Sequence, residues 1–350
     1  MSTKEIKESV IEYYGEVLQN NEDLKTSACC LLESVPEHHR QILSQINDEI
    51  LAKFYGCGSP LPPVLEDCTV LDLGCGTGRD VYLTSSLVGE QGAVIGVDMT
   101  EAQLAVAEKY REEQAKQFGY AKSNVTFKYG SIEDLVALGI GDASVDVVIS
   151  NCVLNLSPEK EKVFSEIFRV LKPGGELYFS DVFSAQRIPE HLKKDPVLYG
   201  ECLSGAMYFE DFRRLLANNG CLDGRMVSQK RLKIEDKSIQ EKIGMIDFFS
   251  CTMRAFKLDT LEDRCEDYGQ VATFLGDISE YPHRFILDDH HVFQTGKPML
   301  VCGNTAAMLQ ETRYQSYFKI DGDRSLHYGM FDCSTKATLS QENSHGGDCC

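Results

Sequence analysis

The sequence predicts an α/β fold in which a doubly wound, mostly parallel sheet follows an N-terminal helical segment and precedes a smaller C-terminal α+β domain. Strand-like and helix-like segments alternate from about residue 69 to residue 182, which is the pattern of consecutive βαβ units. Strands that are joined by helices run parallel and are covered on both faces. A glycine-rich loop also connects the first strand to its helix, where such sheets place their ligands.

Each strand of this region is an apolar run that glycine or polar residues interrupt. The five runs, some with the loops that follow them, are TVLDLGCGTG, AVIGVDMT, NVTFKYGSIEDL, VDVVISN and KPGGELYFSDV. Helices are expected at RDVYLTSSLVG and at EAQLAVAEKYREEQAKQFG, the latter with a capping box formed by Thr100 and Gln103. After the fourth strand, Ser157 is expected to cap a helix that has Pro158 at its first position.

The chain divides into four predicted segments. Residues 1–68 are mostly helical but include the loop KFYGCGSPLPP, and residues 69–234 hold the sheet. From 235 to 332 the periodicity weakens, and the short strand candidates RFILD, HHVFQ and PMLVCG indicate a small α+β domain. The polar tail from 333 to 350 is expected to be disordered.

Composition excludes several classes of protein. The 350 residues carry a net charge of −19 and no basic run, which argues against nucleic acid or an anionic membrane as a partner. The N-terminus lacks a signal-peptide pattern, and no apolar run is long enough to span a bilayer. A cytoplasmic location is therefore expected, where the 14 cysteines would be reduced thiols with metal-binding or reactive roles.

The glycine loop indicates a nucleotide-like ligand. Gly74, Gly76 and Gly78 let the backbone approach a ligand at a helix N-terminus. Asp98 ends the next predicted strand, where a carboxylate can accept both hydroxyls of a ribose. This pattern is shared with dinucleotide sites, but Arg79 stands where the dinucleotide fingerprint has its last glycine.

The combination of LDLGCGTG, GVDMT, GSIEDL and RVLKPGGELYFSD resembles the class I S-adenosylmethionine-dependent methyltransferases, which have a Rossmann-like fold. The resemblance implies that residues 69–234 bind S-adenosylmethionine as methyl donor. Its methionine end would be held by Asp72, Gly74, Gly76 and Gly78, its ribose by Asp98, and its adenine by Met99 with Ile132 and Glu133 at the edge of the base. Asn151 completes this expected cofactor site, and Cys75 is interpreted as a small apolar spacer beside the ligand. Another nucleotide-binding α/β domain is the alternative.

Several cysteines stand among residues that are atypical of a core. Cys57 is flanked by glycines, Cys202 follows Gly200 and Glu201, and Cys152 ends the fourth predicted strand, where a transferred methyl group should project. Taken singly, each is better explained as an inert thiol than as a ligand. Spacing alone does not bring them together.

From Tyr13 to about Lys257, the stretches YYGEVL, YGCG, SNCVLNLSP and GECLSGA closely resemble arsenite methyltransferases. The resemblance implies catalytic roles for Cys29, Cys57, Cys152 and Cys202, with an arsenic-site insertion in the methyltransferase domain. Cys30 is an alternative to Cys29, and no fixed role is implied for the terminal GGDCC.

In this interpretation trivalent arsenic is bound by Cys57, Cys152 and Cys202, because thiolates are the soft ligands that it prefers. A disulfide between Cys29 and Cys57 would keep the product trivalent, and an external thioredoxin- or glutathione-type reductant would reset it. No permanent metal is expected. The alternatives are a methyltransferase for another small-molecule acceptor, with incidental thiols, and a protein that sequesters arsenic without catalysis.

Overall fold

The computed structural model of the protein describes residues 3–13, 35–54, 56 and 59–333. The described residues form the α-helices α1 (Thr3–Glu12), α2 (Glu37–Leu43), α3 (Asp48–Ala52), α4 (Arg79–Val88), α5 (Glu101–Lys109), α6 (Arg111–Gln117), α7 (Lys160–Val170), α8 (Pro196–Gly200), α9 (Phe209–Asn218), α10 (Lys237–Ile243) and α11 (Gly303–Gln310). Cys29, Cys30, Cys57 and the tail from 334 to 350 lie outside the described residues. No helix in the described part of the chain combines the length and apolar character that a bilayer crossing requires.

The same residues form the strands β1 (Thr69–Leu73), β2 (Ala93–Asp98), β3 (Val125–Tyr129), β4 (Val145–Asn151), β5 (Leu171–Ser184), β6 (Met207–Tyr208), β7 (Gly224–Arg231), β8 (Phe248–Phe256), β9 (Glu266–Asp267), β10 (Gln270–Phe274), β11 (Arg284–Ile286), β12 (Val292–Gln294), β13 (Met299–Val301), β14 (Phe318–Asp321) and β15 (Gly329–Met330). The five strands expected between residues 69 and 182 are β1 to β5. The three short candidates of the C-terminal region are β11, β12 and β13.

The main sheet has the strand order β3-β2-β1-β4-β5-β8-β7, with β6 beside β5. The pairings among β1 to β6 are parallel, whereas β8 is antiparallel to both β5 and β7. This confirms the predicted doubly wound, mostly parallel sheet. The strand order reverses between β1 and β4, so the carboxyl ends of these strands flank the crevice in which such sheets bind ligands.

The main sheet continues beyond residue 234, where the sequence analysis placed a domain boundary. The chain returns as β8, which pairs with β5 from Glu176 to Ser184. Small antiparallel sheets follow, with the orders β13-β10-β14, β11-β12 and β15-β9. One hydrophobic core runs from the main sheet into this C-terminal region and includes Leu71, Phe179, Phe256 and Phe318. The proposed division into domains therefore has no break in packing at its second boundary.

A buried ionic cluster joins the main sheet to the C-terminal region. Glu176 on β5 accepts hydrogen bonds from Arg254 of β8 at 2.7 Å and from the Tyr314 hydroxyl at 2.9 Å, and it pairs with Arg313 at 2.6 Å. Complete burial of Glu176 is outweighed by the charges of Arg254 and Arg313, which lower its pKa. The carboxylate is thus ionised and satisfied in the interior.

Two expected helix caps differ in the structure. Thr100 occupies the N-cap of α5, but its side chain makes no capping hydrogen bond. The helix after β4 starts at Lys160 rather than next to Ser157, because the Ser157 hydroxyl donates to Glu133 at 2.6 Å and accepts from the Glu159 N–H at 3.1 Å. Both expectations were wrong, because neither hydroxyl caps its helix. The Ser157 hydroxyl makes a tertiary contact instead.

Candidate active site

A cavity with about 1010 Å³ of empty space, including the part open to solvent, lies at the carboxyl ends of β1, β2 and β4. This is the position at which doubly wound sheets bind their ligands. Its floor is the loop between β1 and α4, where Gly74, Gly76 and Gly78 all have positive φ. A Cβ on Gly74 would lie 2.3 Å from Val153, and one on Gly78 would lie 3.1 Å from Phe127. Glycine is therefore required in this loop both for the backbone conformation and for the close packing of neighbouring side chains.

Asp98 fastens this loop to the end of β2. Its carboxylate accepts the Gly76 N–H at 2.8 Å through one oxygen and the Thr100 N–H at 2.8 Å through the other. Asp98 lines the cavity, and burial raises its pKa. It stands where the sequence analysis expected a ribose-binding carboxylate.

Two more carboxylates make one end of the cavity strongly acidic. Asp72 and Asp80 both line it, and the Asn151 amide donates to Asp80 at 2.8 Å. Burial, reinforced by the charges of Asp80 and Asp98, raises the pKa of Asp72 well above its ordinary value. Such a site favours a ligand that brings positive charge.

Arg79 takes the place of the last glycine of a dinucleotide fingerprint and is itself buried. Its guanidinium pairs with Asp80 at 3.1 Å and stacks on the ring of Phe54 at 3.5 Å. Phe54 belongs to the segment before β1 and lines the cavity. A dinucleotide site needs a glycine at this position for close packing. The buried, bulky cation found here therefore fits a mononucleoside ligand better than a dinucleotide.

The remaining expected residues surround the other end of the cavity. Met99, Ile132 and Glu133 line it. Burial of Glu133 is outweighed by hydrogen bonds from Ser131 and Ser157, which together with the charge of Lys7 lower its pKa. Glu133 is therefore held as an oriented carboxylate at this end.

Cys75 also lines the cavity but is buried, and a Cβ on Gly96 would lie 2.9 Å from its sulfur. Burial raises the pKa of Cys75 well above its ordinary value, next to Asp98 and Asp72. A protonated, packed thiol agrees with the interpretation of Cys75 as a spacer.

Helix α1 lies outside the sheet and covers the cavity. Lys7 and Val10 contribute to the lining, and Lys7 pairs with Glu133 and with Glu159 at 3.2 Å. At the end of this segment, the Tyr13 hydroxyl donates to Glu201 at 2.9 Å. The N-terminal segment thus contacts both the cofactor cavity and the loop that carries Cys202.

Cys152 and Cys202 are neighbours at the mouth of β4. The Cys202 thiol donates to the Cys152 carbonyl oxygen at 3.5 Å, and both residues are at most 3% exposed. Cys152 lines the cavity, whereas Cys202 lies behind it. Both have positive φ, 58° and 60°, a region that non-glycine residues rarely adopt and that often marks functional sites.

The two cysteines also differ in their covalent bonding. Cys152 takes part in a disulfide bond, whereas Cys202 carries a thiol. Cys29, Cys30 and Cys57, which the sequence analysis expected to join them, lie outside the described residues.

A buried polar network lies beside these cysteines. Asn155 donates its backbone N–H and its amide to the two oxygens of Asp181, at 3.0 Å and 2.7 Å. Lys160 donates to the carbonyl oxygens of Asn155 and Ser157. Burial raises the pKa of Asp181 to about 6 and lowers the pKa of Lys160 to about 8, and a charge on Cys202 opposes the latter shift.

The sequence analysis missed several residues that line the cavity. Asp80 and Thr77 adjoin the glycine loop and could have been found from the helix N-terminus there. Lys7 and Val10 come from a segment with no recognisable ligand motif. Lys53, Phe54 and Gly56 belong to the KFYGCGSPLPP segment, where only Cys57 was singled out, and Gln103 was expected only to cap a helix.

The chain is similar to known proteins over most of its length. Residues 65–220 match the family model described as a methyltransferase domain, and residues 268–345 match that of the arsenite methyltransferase C-terminal domain. The chain is 51% identical over 325 residues to an arsenite methyltransferase from Aquipseudomonas alcaligenes, covering 93% of each chain. It is 40% identical to the Mus musculus arsenite methyltransferase, over 96% of this chain and 89% of the mouse protein.

Among solved structures, the chain is similar to CrArsM from Chlamydomonas reinhardtii, an arsenic(III) S-adenosylmethionine methyltransferase. The two are 48% identical and superpose with a TM-score of 0.83, over 85% of this chain and all of the algal one. The chain belongs to the arsenite methyltransferase family.

Proposed function

We propose that this protein transfers the methyl group of S-adenosylmethionine to trivalent arsenic, in arsenite and in methylarsenite, while cysteine thiolates hold the arsenic. The observation that carries the proposal is the position of Cys152, which lines the cofactor cavity and contacts Cys202. Cysteines at a methyl donor's mouth suit a soft acceptor, whereas an oxygen-rich site would suit a hard one.

The residues of the cavity fit S-adenosylmethionine. The nearest neighbour of a Cβ on Gly76 would be Gln103 at 3.9 Å, so this glycine leaves its side-chain space open to a ligand. We assign the methionine end to Asp72, Gly74, Gly76 and Gly78, with Asn151 and the spacer Cys75 beside them, and the ribose to Asp98. Met99, Ile132 and Glu133 are assigned to the adenine. When bound, S-adenosylmethionine supplies an electrophilic methyl group on a sulfonium.

The chain's own task is to bind arsenic and aim it. Three thiolates displace the oxygens of arsenite and leave arsenic one lone pair, which must face the methyl carbon for in-line attack. Cys152 and Cys202 supply two of these sulfurs, and Cys57 is our candidate for the third. The attacking atom carries no proton, so proximity and orientation are the main contributions of the enzyme.

Methyl transfer oxidises arsenic by two electrons, and these must be returned for a trivalent product. We assign this step to Cys29 and Cys57, which form a disulfide as arsenic is reduced, with Cys30 as the alternative to Cys29. A thioredoxin- or glutathione-type thiol then reduces the disulfide.

The test is to incubate the full chain with arsenite, S-adenosylmethionine and a dithiol reductant and to speciate the arsenic over time. Methylated arsenic is expected from the wild type and from the control Cys221→Ser, whose buried thiol has a pKa raised by burial to about 11. Cys152→Ser and Cys202→Ser are each expected to lose at least 100-fold in rate. Equal rates in all four proteins would contradict the thiolate site, and consumption of the donor only with an organic acceptor would contradict the substrate.

A further inference from the structure

A second group of cysteines lies in the C-terminal region. Cys302 is the N-cap residue of α11, Cys265 precedes β9, and Cys333 follows β15. The pairing of β9 with β15, extended by a 2.7 Å hydrogen bond from the Phe331 N–H to the Cys265 carbonyl, brings Cys265 and Cys333 together. Strand β9 also contacts α11, and the Cys265 side chain is close to those of Cys302 and Cys333. None of these three cysteines lines the cofactor cavity.

The Cys302 sulfur is surrounded by donors. It receives the Thr305 N–H at 3.5 Å and the Arg225 guanidinium at 3.8 Å, and it is 3.3 Å from the Thr305 hydroxyl. The neighbouring Cys265 thiol, together with the charge of Arg225, outweighs burial and lowers the pKa of Cys302. Asp223 and Asp288 share the charge of the same arginine, at 2.7 Å each. A thiolate beside a thiol is thus favoured at this position.

Other buried cysteines of the chain have a different environment. The thiols of Cys68 and Cys221 donate to backbone carbonyls, at 3.9 Å and 3.7 Å, and burial raises the pKa of each. These are ordinary core thiols. Cys265 and Cys333 are instead half-buried, so part of this group is accessible to solvent, whereas Cys302 is completely buried.

We propose that Cys265 and Cys302 form a second, two-thiol site for a monosubstituted trivalent arsenical. Binding of methylarsenite, for example, forms two As–S bonds, breaks two As–O bonds and releases two waters, so neither arsenic nor sulfur changes oxidation state. Soft thiolate ligands suit this ion. This inference rests on the proposed function only in that arsenicals must be present. Because the site lies outside the cofactor cavity, it binds arsenicals without methylating them.

The experiment counts bound phenylarsine oxide, a probe that needs two thiols, on the intact chain by native mass spectrometry. The starting variant has serine at the cysteines of the proposed methylation site and of the tail, which are Cys29, Cys30, Cys57, Cys152, Cys202, Cys349 and Cys350. One arsenical per chain is expected. None should bind after the further pair Cys265→Ser and Cys302→Ser, and one should still bind after the control pair Cys221→Ser and Cys251→Ser. No binding to the starting variant, or binding that survives loss of Cys265 and Cys302, would overturn the proposal.

A second measurement uses the wild-type chain and does not depend on a multiple variant. After reduction and gel filtration, phenylarsine oxide is expected to lower iodoacetamide labelling of Cys265 at least 10-fold, as read by peptide mass spectrometry. Unchanged labelling, or a persistent Cys265–Cys302 disulfide under reducing conditions, would overturn the second site. Methylation of arsenite is assayed on the same sample, so a failure of the proposed function is seen separately.

Discussion

The substitution Asp98→Asn tests the assignment of the cofactor cavity. Each carboxylate oxygen of Asp98 accepts one backbone N–H at 2.8 Å, from Gly76 and from Thr100. Asparagine keeps one oxygen and places an amide NH₂ against the other N–H, where two donors face each other. The variant therefore loses one hydrogen bond that holds the loop, and it loses the charge of its hydrogen bonds to the ribose hydroxyls, where a bond to a charged group contributes about 1.5–3 kcal/mol.

Taking these effects together, we expect binding of S-adenosylmethionine to weaken by about 3 kcal/mol, or roughly 100-fold in Kd. Isothermal titration of the full chain with S-adenosylhomocysteine, without arsenic, measures this affinity independently of the thiols. A thermal melt reports whether the variant is folded, and Asp277→Asn, at an exposed carboxylate, is the matched control. Affinity within threefold of the wild type in a folded Asp98→Asn variant would refute the assignment.

Three other perturbations have defined outcomes. Glu176→Gln should lower the free energy of unfolding by about 3–5 kcal/mol, because it leaves two buried guanidinium groups without their carboxylate. Chemical denaturation measures this change. The control Glu66→Gln, at an exposed site, should change the free energy of unfolding by less than about 0.5 kcal/mol. The folded-state pKa of Asp181 is raised to about 6, so the folded protein holds this proton more tightly than the unfolded chain. The free energy of unfolding should therefore fall by up to roughly 3 kcal/mol as the pH rises from about 4 to 6. Urea titrations of Asp181→Asn should show no such dependence on pH. Replacing Cys29 or Cys57 with serine should slow methylation of arsenite more than methylation of methylarsenite, which has only two sites left for sulfur; equal losses on both substrates would contradict the role of the third thiol.

The part of the fold that could be predicted is the part with local signals. The first five strands are apolar runs that end at glycines or polar residues, and the glycine loop requires both positive φ and close packing. The role of Asp98 could be predicted in the same way, because a carboxylate at the end of the strand next to this loop has few roles other than ligand binding. Such features depend on neighbours in sequence and on the geometry of parallel sheets.

Long-range features could not be predicted in this way. No local pattern shows that Lys7 reaches Glu133, 126 positions later in the chain, or that β8 inserts between β5 and β7. Ser157 is a residue type typical of a helix cap, yet its hydroxyl donates a hydrogen bond to Glu133, another residue of the cavity wall. In each case a tertiary contact decides between local alternatives of similar energy.

The cysteines illustrate the same limit. Their sequence neighbours marked Cys152 and Cys202 as unusual, but the positive φ of both residues and their contact depend on the folding of two distant loops. Cys265 and Cys302 attracted no attention in the sequence, because the contact of β9 with the N-terminus of α11 brings them together only in three dimensions.

X-ray absorption at the arsenic K-edge tests the central claim most directly, namely that Cys152 and Cys202 bind arsenic beside the methyl donor. The sample is a chain with serine at Cys265, Cys302, Cys349 and Cys350, reduced, freed of small thiols and loaded with one equivalent of arsenite. We expect three sulfur neighbours around arsenic, and two sulfurs with one oxygen after Cys202→Ser. A sulfur shell that is unchanged when Cys152 and Cys202 are both replaced would contradict the account.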